Sequence, residues 1–182
     1  MFILNFIRFM LDFLKKKEVE EEFDFNLPSV NQNGQYDCRY EVFRSLDKYY
    51  NGSTQSVLLL RNKFPDAEVS DSSMAKMYSS RNLSLNDITE TVNALQTETE
   101  KADFLISLMK ENKAVIAEFT INSNGKTYGH AVGVKTVKTF SNGKVVIKVV
   151  NVVKPAKRFK CKTCVVFKES KYIFKPKHKR RK

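Results

Sequence analysis

The sequence predicts an α+β domain in which helices come first and an antiparallel sheet follows. Up to Asn112, apolar residues recur every three or four positions, a spacing that is typical of helices with one buried face. After Asn112 the spacing becomes two, and Asn-Gly pairs separate the alternating segments, as they do in β-hairpins. Because these strands follow one another without helices between them, the sequence favours an α+β layout over a parallel sheet.

Two helices are expected before residue 65. The first runs from Cys38 to Tyr50, where apolar residues mark one face, and the pair Asn51-Gly52 ends it. The second covers residues 55–64 and ends at Pro65, a residue that cannot continue a helix.

Two more helices are expected between residues 84 and 110. Ser84, with Asp87 three residues later, resembles a capping box at a helix start. One apolar face then consists of Leu85, Ile88, Val92 and Leu95. The apolar face of the last helix consists of Ala102, Leu105, Ile106 and Met109.

Strands are expected at residues 114–121, 128–139 and 144–153. The turns between them are predicted at Asn124-Gly125 and Asn142-Gly143, because Asn-Gly suits a two-residue hairpin turn. Residues 163–168 and 171–174 are expected to add one or two further strands.

Length and composition indicate one globular domain with short appendages. The chain has 182 residues, of which 42% are hydrophobic and 29% charged, too apolar for a disordered chain and too short for two full domains. We expect a helix and charged linker at 1–23, the domain at 24–153, and basic strands with a tail at 154–182. With only six glycines and no glycine-rich phosphate loop, a dinucleotide-binding fold is not expected.

The net charge of +12 belongs to the carboxyl-terminal segment. Residues 154–182 hold 13 basic residues and one acidic residue, whereas residues 1–153 hold 19 of each. The basic end, KPKHKRRK at 175–182, could therefore contact an anionic partner such as nucleic acid, a lipid surface or an acidic protein. Plain solvation of these charges is the alternative, and the run has no interleaved aromatic residues for base stacking.

Residues 1–14 are apolar except for Asn5, Arg8 and Asp12, which recur at helical spacing. A helix of this length is too short to span a bilayer, and the segment has neither the basic start nor the cleavage site of a secretory signal. It is expected to pack on the domain or on another subunit, with an interfacial membrane anchor as the alternative.

Three cysteines cannot all pair, which indicates a reducing, cytoplasmic compartment or a working thiol at the isolated Cys38. Cys161 and Cys164 have the spacing of metal ligands, but no second pair lies near them in the sequence. A pair of spare thiols or a redox-sensitive clip is therefore favoured over a zinc site, and no cofactor or metal is expected.

Cys38 and His130 are the natural candidates for catalysis. His130 is the only histidine in the predicted domain, because His178 lies in the tail. Cys38 opens a predicted helix, and a helix start or a neighbouring imidazolium lowers a thiol pKa, to roughly 3.5 to 7.5 in known cases. Asn151 is the polar exception on an apolar strand face, so it could orient the imidazole, and Gln32 lies in a loop six positions before Cys38, where its amide could face an oxyanion.

These residues resemble the papain-like cysteine peptidases: Gln32, then Cys38 at a helix start, then Gly129-His130-Ala131-Val132 in a strand and Asn151 in the next. The step Asp37-Cys38 and residues 105–134 are most similar to the bacteriocin-processing peptidase domains and their stand-alone bacterial relatives. The resemblance covers roughly residues 30–153 and implies a papain-like fold.

The resemblance implies that Cys38 is the nucleophile, His130 the general base and acid, Asn151 the residue that orients the imidazole, and Gln32 the oxyanion donor. Two positions depart from the pattern. Arg39 follows the cysteine where relatives usually carry Gly or Trp, and Asn151 replaces the aspartate of the bacteriocin-processing group.

The expected function is therefore hydrolysis of a peptide or isopeptide bond in a peptide or protein substrate through an acyl-enzyme, and acyl transfer would use the same residues. The alternative is a non-catalytic papain-like or unrelated α+β module that binds an anionic partner through its basic tail. Each cysteine or histidine taken alone is more often an ordinary buried residue, so their joint order in the chain is what favours an enzyme.

Overall fold

The computed structural model describes residues 18–29, 37–123, 126–150 and 166–172. Within these ranges the chain forms five helices and a six-stranded antiparallel sheet, which confirms the α+β class. The helices are α1 (Cys38–Asn51), α2 (Val57–Lys63), α3 (Asp71–Ser79), α4 (Thr89–Ala94) and α5 (Glu98–Lys110). The strands are β1 (Val19–Asp24), β2 (Leu83–Asp87), β3 (Ala114–Ser123), β4 (Lys126–Phe140), β5 (Val145–Val150) and β6 (Val166–Tyr172).

Strand β4 organises the sheet. The strand order is β1-β4-β3-β6-β2, and β5 also pairs with β4. The first part of β4 pairs with β3, with His130 opposite Phe119, and its second part pairs with both β1 and β5. Since α1 and α5 both pack on β4, this strand is enclosed by other elements along most of its length.

Helix α1 is held in the core by apolar side chains that recur at helical spacing. Val42, Phe43 and Leu46 have no exposed surface, and the helix ends at Gly52, whose φ of 72° lies in the left-handed region. Both the start at Cys38 and the stop at Asn51-Gly52 agree with the sequence prediction. None of the described helices combines the length and the apolar character needed to cross a membrane.

Residues 83–87 form strand β2 and not the start of a helix, so the capping-box prediction at Ser84 is wrong. They pair with β6, from Leu83 opposite Tyr172 to Asp87 opposite Lys168. Asp87 instead accepts a hydrogen bond from the backbone of Thr89, where α4 begins. A true capping box lies at Thr97 and Glu100, at the start of α5. Pairing with a distant strand therefore outweighed the local helical spacing.

Strand β1 lies where the sequence predicts a charged linker. Its acidic residues pair with lysines of other elements, Glu22 with Lys138 and Glu21 with Lys110. Strand β6 likewise comes from the segment expected to be a basic appendage. It is a single strand that overlaps both of the segments predicted as strands there, residues 163–168 and 171–174. The sheet thus extends beyond residues 24–153 on both sides. The predicted helix at 1–14 and the tail at 175–182 lie outside the described residues.

Helix α3 was not predicted, although its sequence carries the signal. Ser70 caps it by accepting a hydrogen bond from the backbone of Ser73, and the buried residues Met74, Met77 and Tyr78 have helical spacing. The serines that surround them make the segment resemble a loop.

Gly133 gives a test of how closely β5 and the segment after β1 pack on β4. A Cβ atom there would lie 2.9 Å from Val150 Cγ2 and 3.1 Å from Leu27 Cδ1, so Gly133→Ala should destabilise the fold by about 1–3 kcal/mol through overpacking. Gly129 in the same strand has nothing within 4 Å of such an atom. Urea unfolding should show no loss of stability for Gly129→Ala, and equal effects of both substitutions would contradict this packing.

Candidate active site at the amino end of helix α1

The structure describes two of the four predicted catalytic residues. Cys38 is the first residue of α1, and His130 lies in β4; their exposed fractions are 6% and 5%. Gln32 and Asn151 lie outside the described residues, as do Cys161, Cys164 and His178. The roles predicted for Gln32 and Asn151 therefore stay predictions.

Cys38 and the strand of His130 meet at one place. The backbone of Ala131 forms a hydrogen bond with the Cys38 sulphur, and Ala131 directly follows His130. Because an amide N–H stabilises a thiolate, this contact lowers the pKa of the thiol. The first residue of α1 thus lies beside the histidine strand.

The imidazole of His130 packs against the ring of Phe119 on the neighbouring strand. The two ring centroids are 5.4 Å apart, the planes are 80° apart, and the two residues are direct cross-strand partners. Edge-to-face packing of this kind is a favourable aromatic arrangement and restricts rotation of the imidazole.

Glu68 is the residue that sequence reasoning missed. Its Oε1 accepts hydrogen bonds from the backbone N–H of Arg39 at 3.0 Å and of Tyr40 at 3.3 Å. Its Oε2 accepts a hydrogen bond from the Cys38 thiol at 3.5 Å. A carboxylate from a distant turn therefore satisfies two N–H groups at the helix start and contacts the candidate nucleophile.

The turn that carries Glu68 is fixed to α1 by two further side chains. The hydroxyl of Tyr40 donates to the carbonyl oxygen of Phe64 at 2.6 Å, and the guanidinium of Arg39 donates to that of Ala67 at 3.3 Å. Asp37 occupies the N-cap position but makes no side-chain capping bond, and it forms an ion pair with Arg61 instead. Capping of α1 is thus left to Glu68.

Burial raises the pKa of the Cys38 thiol to about 12, and the negative charge of Glu68 adds to this effect. The backbone amides of Ala131 and Arg39 lower the pKa, but by less. Burial also raises the pKa of Glu68, against the effect of its N–H partners. The sequence offered only groups that lower the thiol pKa, whereas burial and the charge of Glu68 raise it in this structure.

Arg39, the residue that departs from the papain-like pattern, connects three elements. Its Nε and Nη2 lie 2.9 Å from the two carboxylate oxygens of Glu118 on β3, and Nη2 also lies 2.9 Å from Asp71 on α3. Arg39 and Glu118 have only 14% and 13% of their side chains exposed. A planar guanidinium suits two-point pairing of this kind, so Arg39 fixes the start of α1 on the sheet.

Glu118 and Glu68 differ in how much the sequence reveals of them. Glu118 interrupts the apolar segment Ala114–Ser123, so a buried charge with a partner could have been inferred there. Glu68 lies between Pro65 and Ser70 in a segment typical of an exposed turn, and nothing local distinguishes it. Within the described ranges, no group of three or more His, Cys, Asp or Glu residues could hold a metal ion.

The comparisons with known proteins assign no class. No model of a known protein family matches this chain, and no curated protein matches it.

The ion pair of Arg39 and Glu118 should contribute to stability through its burial. Arg39→Gln leaves the Glu118 carboxylate without its cation, so we expect a loss of about 3 kcal/mol in the free energy of unfolding. Adding Glu118→Gln should recover part of this loss, because the uncompensated charge is then gone. Urea unfolding of the single and double variants measures the coupling.

The matched control is Lys101→Gln, which removes an ion pair between Lys101 and the exposed Glu98 on α5. Pairs of this kind contribute at most about 1 kcal/mol, so a small effect is expected. An equally small effect of Arg39→Gln would show that Arg39 does not fix α1 to the sheet.

Proposed function

We propose that this protein is a papain-like cysteine peptidase that cleaves a peptide or isopeptide bond through an acyl-enzyme on Cys38. The observation that carries the proposal is the hydrogen bond between the backbone of Ala131 and the Cys38 sulphur. Because Ala131 follows His130, a thiol at a helix start lies beside the strand that carries a histidine. Nucleophilic catalysis by cysteine requires such a combination.

In the proposed mechanism the Cys38 thiol loses its proton during attack, because burial raises its pKa. His130 takes the proton from Sγ while Sγ bonds to the substrate carbonyl carbon, whose oxygen becomes an oxyanion. His130 then gives the proton to the departing amine as the C–N bond breaks, which leaves a thioester on Cys38. Water attacks the thioester with His130 again as base, and the products are a carboxylic acid and the restored thiol.

Gln32 and Asn151 complete the proposed site. Gln32 would donate a hydrogen bond to the oxyanion, and Asn151 would hold the imidazole of His130 in the orientation needed for proton transfer. The contact between His130 and Phe119 supports such an orientation from the other strand.

Gly129 supports access of a substrate to His130. This residue directly precedes His130, and a Cβ atom built on it would have nothing within 4 Å. Open space at this point of β4 would allow an extended peptide backbone to approach the imidazole.

The acceptor of the acyl group defines the reaction. Water gives hydrolysis, whereas an amine would give transamidation by the same residues. If the protein were instead a non-catalytic module that acts through its basic tail, removal of the tail would abolish function and removal of the thiol would not.

We expect Cys38→Ala and His130→Ala to abolish cleavage of long peptides from a digested proteome. Removing the nucleophile ends acyl-enzyme formation, and removing a general base costs on the order of 100-fold to 10,000-fold in rate. Mass spectrometry that counts new peptide amino termini measures the effect. In the wild type, a peptide linked as a thioester to Cys38 should be detected in the same samples.

The chain provides matched controls, because it has other cysteines and another histidine. Cys164→Ala and His178→Ala should cleave as the wild type does, since neither residue belongs to the proposed site. Cleavage that persists in Cys38→Ala, or that is lost equally in His178→Ala, would contradict the proposed mechanism.

A further inference from the structure

The Cys38 sulphur has a second neighbour that the proposed mechanism does not use. Glu68 Oε2 accepts the thiol hydrogen bond at 3.5 Å, while Oε1 is held by the amides of Arg39 and Tyr40. The two oxygens of one carboxylate thus contact different groups. One is fixed to the helix, and the other faces the nucleophile.

Helix capping alone does not account for this arrangement. A cap normally comes from the N-cap side chain, and here Asp37 occupies that position without capping. Glu68 reaches the helix from a turn 30 positions away in the chain, and its second oxygen contacts the Cys38 thiol. A hydroxyl or amide could cap the helix as well, whereas a carboxylate also places a negative charge beside the sulphur.

The cations near this pair form their ion pairs with other carboxylates. The guanidinium of Arg39 makes its ion pairs with Glu118 of β3 and Asp71 of α3, and Arg61 of α2 pairs with Asp37. The hydroxyl of Tyr40 donates to backbone oxygens of the turn. His130 of β4 directly precedes Ala131, whose backbone contacts the Cys38 sulphur.

We propose that Glu68 is a positioning residue that holds Cys38 in its protonated form and thereby sets the pH at which the nucleophile becomes reactive. The role of Glu68 in catalysis rests on the proposed function, whereas its effect on the ionisation of the Cys38 thiol does not. A negative charge next to a thiol disfavours the thiolate, and the hydrogen bond from Sγ to Oε2 stabilises the protonated form. Two amides keep the carboxylate at this position.

Because Glu68 holds the thiol protonated, the attacking step needs a group that accepts the thiol proton. A peptidase with a preformed thiolate reacts well below the ordinary pKa of cysteine. With Glu68 in place, Cys38 must lose its proton to His130 in the attacking step. Glu68 thus protects the resting thiol from general electrophiles and oxidants, which react with the thiolate.

The test is the rate at which iodoacetamide alkylates Cys38, measured by peptide mass spectrometry from pH 6 to pH 10 in the full chain. Glu68→Gln keeps a side-chain oxygen that can accept from Arg39 and Tyr40 but removes the charge. We expect alkylation at pH 8 to be at least about tenfold faster than in the wild type, since lowering the thiol pKa by one unit raises the thiolate fraction tenfold.

The matched control is Asp66→Asn, which removes a charge from an exposed position of the same turn. It should leave the profile unchanged. If Glu68 only caps the helix, Glu68→Gln would leave the alkylation rate unchanged, because its amide oxygen can still accept from Arg39 and Tyr40, and only Glu68→Ala would raise the rate by loosening the helix start. An unchanged alkylation rate in Glu68→Gln would therefore overturn the proposal.

Comparing Glu68→Gln with His130→Ala separates this inference from the proposed function. If His130→Ala has no effect on cleavage or alkylation while Glu68→Gln still raises the alkylation rate, the peptidase mechanism fails and the role of Glu68 stands. If Glu68→Gln leaves the alkylation rate unchanged but His130→Ala abolishes cleavage, the peptidase mechanism stands and the role of Glu68 fails.

Discussion

The amino end of helix α1 must find hydrogen-bond acceptors inside the protein, and the arrangement around the candidate site depends on how it does so. The first N–H groups of any helix have no partner within the helix, and leaving them unsatisfied when buried is costly. Glu68 satisfies those of Arg39 and Tyr40, while the side chain of Arg39 connects to β3 and α3. The position of Cys38 against β4 follows from these contacts.

The same contacts that position Cys38 also oppose its ionisation. Helix starts stabilise anions, so the carboxylate that best caps α1 takes a place that a thiolate would otherwise use. Burial strengthens this effect because the sulphur is shielded from water. Positioning and activation are therefore separate tasks in this site, the first carried out by Glu68 and Arg39 and the second proposed for His130.

The sequence predicted what depends on local spacing. The start of α1 at Cys38, its end at Gly52, the helix with Ala102 to Met109 and the strands β3 and β4 all follow from periodicity and turn residues, which act within a few positions. The placement of Cys38 at a helix start and of His130 in a strand was predicted in the same way.

What depends on distant pairing could not be predicted from spacing. Residues 83–87 form a strand because β6 lies beside them, and the acidic residues of β1 pair with lysines far away in the chain. Glu68 reaches the site across 30 positions from a turn without apolar periodicity. Such contacts arise only when the chain is folded, so no local pattern records them.

The position of β6 has a consequence for folding during synthesis. Among the described strands, β2 is joined to the rest of the sheet only through β6, which lies between it and β3. A growing chain that has passed β4 and β5 therefore contains β2 but not the strand that connects it. Completion of the sheet must wait until residues 166–172 have left the ribosome. Until then, the edge of β3 that later pairs with β6 remains open to other chains.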